Sequence, residues 1–160
     1  MATQIMAMSV RPGLAERLHR ATDLAGRIPV SFLALIMRIA LAAIFIKSGM
    51  TKLANFDITI SLFQDEYMVP LLPPAVAAVM ATITELGCAS LILAGLGTRL
   101  AVLPLLGLTF VIEVFVYPEN WVEHLTWASM LLFLVTQGAG KLSFDHLIRK
   151  ALERRWGYAA

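Results

Sequence analysis

Four apolar runs, at residues 31–50, 75–96, 100–117 and 124–138, leave this chain few ways to fold. A helix needs roughly 20 residues to cross about 30 Å of hydrocarbon. The first three runs approach that length, and the fourth does so if counted from Trp121. A chain in lipid must satisfy its backbone internally, which favours helices. The turns after the second and third runs are short, Gly95-Leu96-Gly97-Thr98-Arg99 and 117–123 with Pro118 and Trp121. Short turns make neighbouring helices antiparallel. The expectation is an all-α membrane protein, an antiparallel four-transmembrane-helix bundle. Composition agrees: 59% of residues are hydrophobic and 15% charged, against roughly 45–50% and about 25% in soluble domains.

The polar segments divide the chain further. Residues 1–30 form a basic segment with Arg11, Arg17, His19, Arg20 and Arg27, in which Leu14, Leu18 and Leu24 suit an interfacial helix. The apolar run starts late and has no A-x-A exit, which argues against a cleaved signal peptide. Residues 31–140 are the membrane domain and 141–160 a basic tail. Within 51–74, Phe56, Ile58, Ile60, Leu62 and Phe63 make an interfacial or re-entrant helix the expectation. Lys and Arg collect in the two terminal segments, whereas Asp57, Asp65, Glu66, Glu119 and Glu123 mark the other side. The bias toward positive charge on the inner side places both termini in the cytoplasm of a multi-pass protein. Tyr67, Tyr117 and Trp121 then sit at the outer interface.

Arg38, Glu85 and Glu113 lie inside apolar runs. A charge at membrane depth costs several kcal/mol, so such groups usually face a protein interior or a wet cavity and pair there. At about 100° per residue, Arg38, Gly49 and Lys52 share one face, and Lys47 points away to the interface. Ala78, Ala81, Thr82, Glu85, Cys88 and Ala89 form a small, polar face suited to helix packing. Counting about 1.5 Å per residue puts Arg38 roughly 10 Å and Glu85 roughly 16 Å from the inner boundary, so an Arg38–Glu85 pair is expected. Glu113, Lys52 and His124 fall near the outer surface and are expected to form a second cluster. Glu85, Glu113 and His124 are candidate proton carriers. Arg38, Lys52, Glu85, Glu113 and His124 are the candidate substrate-binding set. The structural alternatives are a register-fixing ion pair for Arg38 and Glu85, and an interfacial anchor for His124.

Cys88 is the sole cysteine, which excludes an intrachain disulfide or a cysteine metal cluster. Only His124 of the three histidines is near a span, which disfavours a bis-histidine haem. No metal site and no intrinsic cofactor are expected. Gly-rich phosphate loops, GxSxG and HExxH are absent. A net charge of +2 gives no basis for nucleic-acid binding.

Arg38, Gly49-x-x-Lys52-Leu53, Glu85 and the Gly95-Leu96-Gly97-Thr98-Arg99 turn resemble the DoxX family of bacterial membrane proteins. So do the 115–121 stretch with His124 and Trp127, and the Gly138-x-Gly140-x-Leu142-Ser143-x-Asp145-His146 tail. The resemblance spans about residues 30–148. It implies a four-helix inner-membrane protein, kin to the small subunit of thiosulfate:quinone oxidoreductase, with Arg38, Lys52, Glu85 and Arg99 at family-pattern positions. It also implies a membrane subunit of a redox system that contacts quinone or quinol, beside a soluble or membrane oxidoreductase partner. Two other functions fit the residues: a small-anion or small-molecule permease, which so narrow a bundle would build as a homo-oligomer, and a non-catalytic scaffold for a soluble oxidoreductase.

Overall fold

The computed structural model describes residues 13–157, and these form helices with no strands. Helix α1 (Leu14–Gly26) has exposed Glu16 and Arg20 paired along one side. Arg11 and the side chains of Leu18 and Leu24 lie outside the described residues. After Pro29 comes α2 (Val30–Ala54), which runs four residues past the expected end and carries Lys52 in its last turn. The expected interfacial segment is α3 (Phe56–Leu62), continued by a wide turn at Phe63–Tyr67. Helix α4 (Pro74–Ala94) returns, α5 (Thr98–Val116) goes out again, and α6 (Trp121–Gln137) comes back. Helix α7 (Phe144–Trp156) closes the chain.

Among the described residues, α2, α4 and α5 are long and apolar enough to cross a membrane. Helix α6, at 17 residues, falls just below that length. Helix α2 packs against α4 and α6, and α5 packs against the same two, so the four helices enclose one interior. Small side chains fill much of it, including Ala34, Ala42, Ala78, Ala81, Ala89 and Ala101, together with Leu41, Ile92, Leu105, Leu131 and Leu134. Large apolar side chains point outward instead: Ile39, Ile83, Leu103, Phe110, Leu125 and Leu132 are all more than half exposed. Close packing through small residues inside and bulky apolar groups outside is the pattern expected of helices bathed in lipid. The protein therefore contacts a bilayer and is an integral membrane protein.

The bundle has two chemically different ends. At the end that holds the described termini, α4 stops at Gly95, whose φ is +70°. There the Leu96 N–H bonds the Leu91 carbonyl and the Gly95 N–H bonds that of Ile92, each at 3.0 Å, a Schellman closure. Arg38, 2% exposed, shares the Ile92 carbonyl with this closure and takes that of Leu93, which the closure leaves over. It donates from Nε to Ile92 O (2.7 Å) and from Nη2 to Leu93 O (2.6 Å). Nη1 donates to Ala139 O (3.1 Å) and Leu142 O (2.6 Å). A Cβ at Gly95 would lie 2.6 Å from Arg38 Nη2, so this glycine is required by the guanidinium as well as by its backbone. Asp145 completes the knot by accepting from the N–H groups of Gly97 (2.7 Å) and Thr98 (3.1 Å), capping α5 from a distant segment.

Candidate functional site

The interior charges do not pair as their nominal depths imply. Glu85 bonds Lys52, not Arg38: Lys52 Nζ is 2.8 Å from Oε1 and 2.9 Å from Oε2. The physical reason is the tilt of side chains toward the N-terminus of their own helix. On α2 that tilt sends Arg38 toward the terminal end, level with Ile92 and Leu93, and sends Lys52 back into the bundle. On antiparallel α4 it sends Glu85 toward Lys52. Close approach at Gly49 brings the helices together, since a Cβ there would lie 2.7 Å from Leu86 Cγ and 3.2 Å from Glu85 Cβ. Ser48, one turn before Lys52, joins the pair. It accepts from Lys52 Nζ at 2.7 Å and donates to Glu85 Oε1 at 3.1 Å.

The expected Glu113–Lys52–His124 cluster is likewise divided. Lys52 belongs to Glu85, while His124 Nδ1 lies 2.6 Å from Glu113 Oε2. His124 is buried, 4% exposed, and its ring meets Trp127 edge-on at 5.1 Å. Trp127 in turn packs on Phe45 at 5.6 Å. Lys52–Glu85 and His124–Glu113 are two separate pairs rather than one shared centre.

A cavity of about 290 Å³ connects these groups, lined by Ser48, Lys52 and Glu85 on one side and by His124 and Trp127 on the other. At about 30 Å³ per water molecule it has room for roughly ten, or for one planar ring. Tyr67, Tyr117, Asn120 and Glu123 also line it, so it lies toward the bundle end away from the termini. The Tyr117 hydroxyl is 3.1 Å from Glu66 Oε1 and 3.4 Å from the Tyr67 hydroxyl. Its bond to Tyr67, partial burial and the Glu66 carboxylate push this phenol above the usual tyrosine range. A second recess, about 410 Å³, lies on the outside of α5 and α6 among Phe110, Leu125 and Ala128. Glu113 and His124 line it too, so His124 borders both the interior cavity and an apolar outer groove.

Three wide, π-helical turns surround this site: Phe63–Tyr67, Thr84–Cys88 and Ile112–Val116. Each contributes cavity wall through Phe63 and Tyr67, Glu85, or Ile112 and Val116. Such turns insert a residue into the helical repeat and often occur at functional sites. Ser48, Asn120 and Glu123 are polar wall residues outside the expected set, although the i, i+4 spacing of Ser48 to Lys52 is a usable signal. Arg38 does not line the cavity, and Arg99 bonds Thr136 O at 3.0 Å near the terminal end. Among the described residues, no three His, Cys, Asp or Glu side chains converge as metal ligands would.

The DoxX family's sequence profile matches residues 33–118, more than half of the chain. The chain belongs to the DoxX family. No curated protein and no solved structure matches it. The DoxX match contains Arg38, Lys52, Glu85, Arg99 and Glu113 and ends before His124. Both members of the Lys52–Glu85 pair and the carboxylate of the Glu113–His124 pair are thus on the DoxX segment, whereas the imidazole comes from the helix that follows it.

Proposed function

We propose that this DoxX protein is a four-span, multi-pass membrane subunit of a redox system, with its cavity receiving the ring of a quinone or quinol. Helix α6 serves as the fourth span when its Trp121 end sits at the interface, where tryptophan is favoured. The basic terminal segments put both termini in the cytoplasm, and the acidic end faces out from a bacterial inner membrane. The observation that carries the reading is the partly open 290 Å³ cavity, which brings a largely buried ion pair and a buried histidine against aromatic walls. Mostly apolar pockets with a few convergent polar groups are the usual form of small-molecule sites.

Bound quinone supplies two-electron, two-proton redox chemistry, and the electrons come from an oxidoreductase partner. The chain's residues perform the rest. Phe45, Tyr67 and Trp127 provide flat apolar surface for a ring. Lys52 Nζ is a donor within the cavity wall and orients a carbonyl oxygen there. Glu85, held by Lys52 and Ser48, and His124, held by Glu113, are the groups that hold and pass protons. The apolar groove beside His124 gives an isoprenoid tail a place on the lipid side. The anion-permease alternative is less well supported, because Arg38 is engaged by four carbonyls and does not line the cavity.

The test is thermal unfolding of the purified chain with and without a short-chain benzoquinone. Ligand at about 100 times its Kd stabilises by about 2.7 kcal/mol, which is roughly 5–11 °C for a chain of this size. Glu85→Gln and His124→Phe should each reduce that shift. No protection by benzoquinone or naphthoquinone, or full protection of both variants, removes the reading.

A further inference from the structure

A second polar pocket lies at the terminal end, remote from the cavity, where α5 begins and α7 leaves the bundle. Its volume is about 480 Å³. Arg99, Lys141 and Arg149 line it with His146, and Asp145 is the acidic residue in the wall. Three fixed cations thus face one carboxylate. Both Asp145 oxygens already accept backbone N–H bonds from Gly97 and Thr98, so that carboxylate is committed to the α5 cap. Arg99 uses Nη2 on Thr136 O and has donors left over. Arg149 touches His146 Nδ1 through Nη2 at 2.9 Å and approaches Glu153 only to 3.7 Å. The Lys141 bond in this region is from its backbone N–H to Ser31, which leaves the ammonium group uncommitted.

Position supplies the second half of the argument. Helix α7 exposes Phe144, Leu147, Ile148, Leu152 and Trp156, which recur at helical spacing and form an apolar face. A basic helix with such a face lies in the headgroup layer. The pocket is therefore at headgroup depth. On its lipid side Leu100, 74% exposed, and Leu103, 52% exposed, continue along α5 as an apolar track.

We infer that this pocket binds the phosphate of an anionic phospholipid, with Arg99, Lys141 and Arg149 on the headgroup and an acyl chain along Leu100 and Leu103. Guanidinium groups bond phosphate oxygens bidentately, and basic pockets between helix ends at the inner surface recognise such headgroups. The inference needs the protein to lie in a membrane but is independent of the quinone reading.

The experiment is native mass spectrometry of the delipidated full chain, titrated with phosphatidylglycerol and, separately, with phosphatidylcholine. One equivalent of phosphatidylglycerol should survive activation that strips phosphatidylcholine. Affinity for it should fall at least tenfold in Arg99→Gln/Arg149→Gln. Lys141→Gln, a change at an exposed side chain, should weaken it as well in a chain whose circular dichroism is unaltered. The control Arg154→Gln/Arg155→Gln removes equal charge from α7 outside the pocket and should leave the bound equivalent in place. Equal losses in the pocket and control variants would reduce the effect to general surface charge and overturn the site. Displacement of the lipid by millimolar inorganic phosphate would assign the pocket to free phosphate instead, and equal retention of both lipids would overturn anion recognition.

Discussion

Replacing Arg38 tests whether its role is to hold the bundle end. Four carbonyls, from Ile92, Leu93, Ala139 and Leu142, accept from it at 2.6–3.1 Å. In Arg38→Met the carbonyls of Leu93, Ala139 and Leu142 lose their donor, whereas that of Ile92 keeps the Gly95 N–H. The bond to Ala139 is buried, and those to Leu93 and Leu142 are partly exposed. A buried carbonyl left unpaired costs about 1–3 kcal/mol, and Ala139 alone sets a loss of that size. Relief from burying the guanidinium offsets what the two partly exposed carbonyls add, and a net loss of about 1–3 kcal/mol is expected. At roughly 2–4 °C per kcal/mol the melting temperature should drop by roughly 2–12 °C. Arg38→Lys should recover only part, because an ammonium is a point donor and cannot span both segments that the guanidinium joins. Quinone protection, measured as the added shift in each background, should persist in both variants because Arg38 does not line the cavity. Wild-type stability in Arg38→Lys, or a loss below about 1 kcal/mol in Arg38→Met, would refute the argument.

Other perturbations probe separate parts of the structure. Gly49→Val should separate α2 from α4 and lower stability by about 1–3 kcal/mol, the usual cost of overpacking, because Leu86 and Glu85 stand in the way of any Cβ; equilibrium unfolding in detergent measures it. Asp145→Ala removes the cap on α5 and should cost about 1–2 kcal/mol, with faster proteolysis of α7 as the local readout. Tyr117 should remain protonated on ultraviolet titration above the ordinary tyrosine value near 10, and Tyr67→Phe should bring its midpoint down. Since the folded state retains this proton longer than the unfolded chain, the stability it contributes is present below about pH 10 and lost as pH rises beyond it.

Helix phase was readable in the sequence, and register between helices was not. Arg38, Gly49 and Glu85 are buried, as a common interior face requires, and Lys47 is exposed. What spacing alone could not resolve was the direction in which each long side chain leans along its helix. That lean gives Lys52 to Glu85 and leaves Arg38 for the carbonyls at the opposite end of α2. Helix α3 was foreshadowed by its apolar residues, but the wide turns at 63–67, 84–88 and 112–116 have no spacing signature, because they arise when packing shifts one helical bond. Glu113 and His124 were both recognised as site candidates. Their direct contact depends on how the short 117–120 connection places α6 against α5, which residue types alone do not specify.

The bonds of Arg38 also set an order of events during synthesis. Two of its acceptors are 101 and 104 residues further along the chain. At about 5–20 residues per second, roughly 5–20 s separate the appearance of the cation from that of its last partner. For that interval the first membrane helix carries a charge that must be accommodated by water, headgroups or the insertion machinery. The bundle can be threaded from its beginning, but it can be locked only from its end.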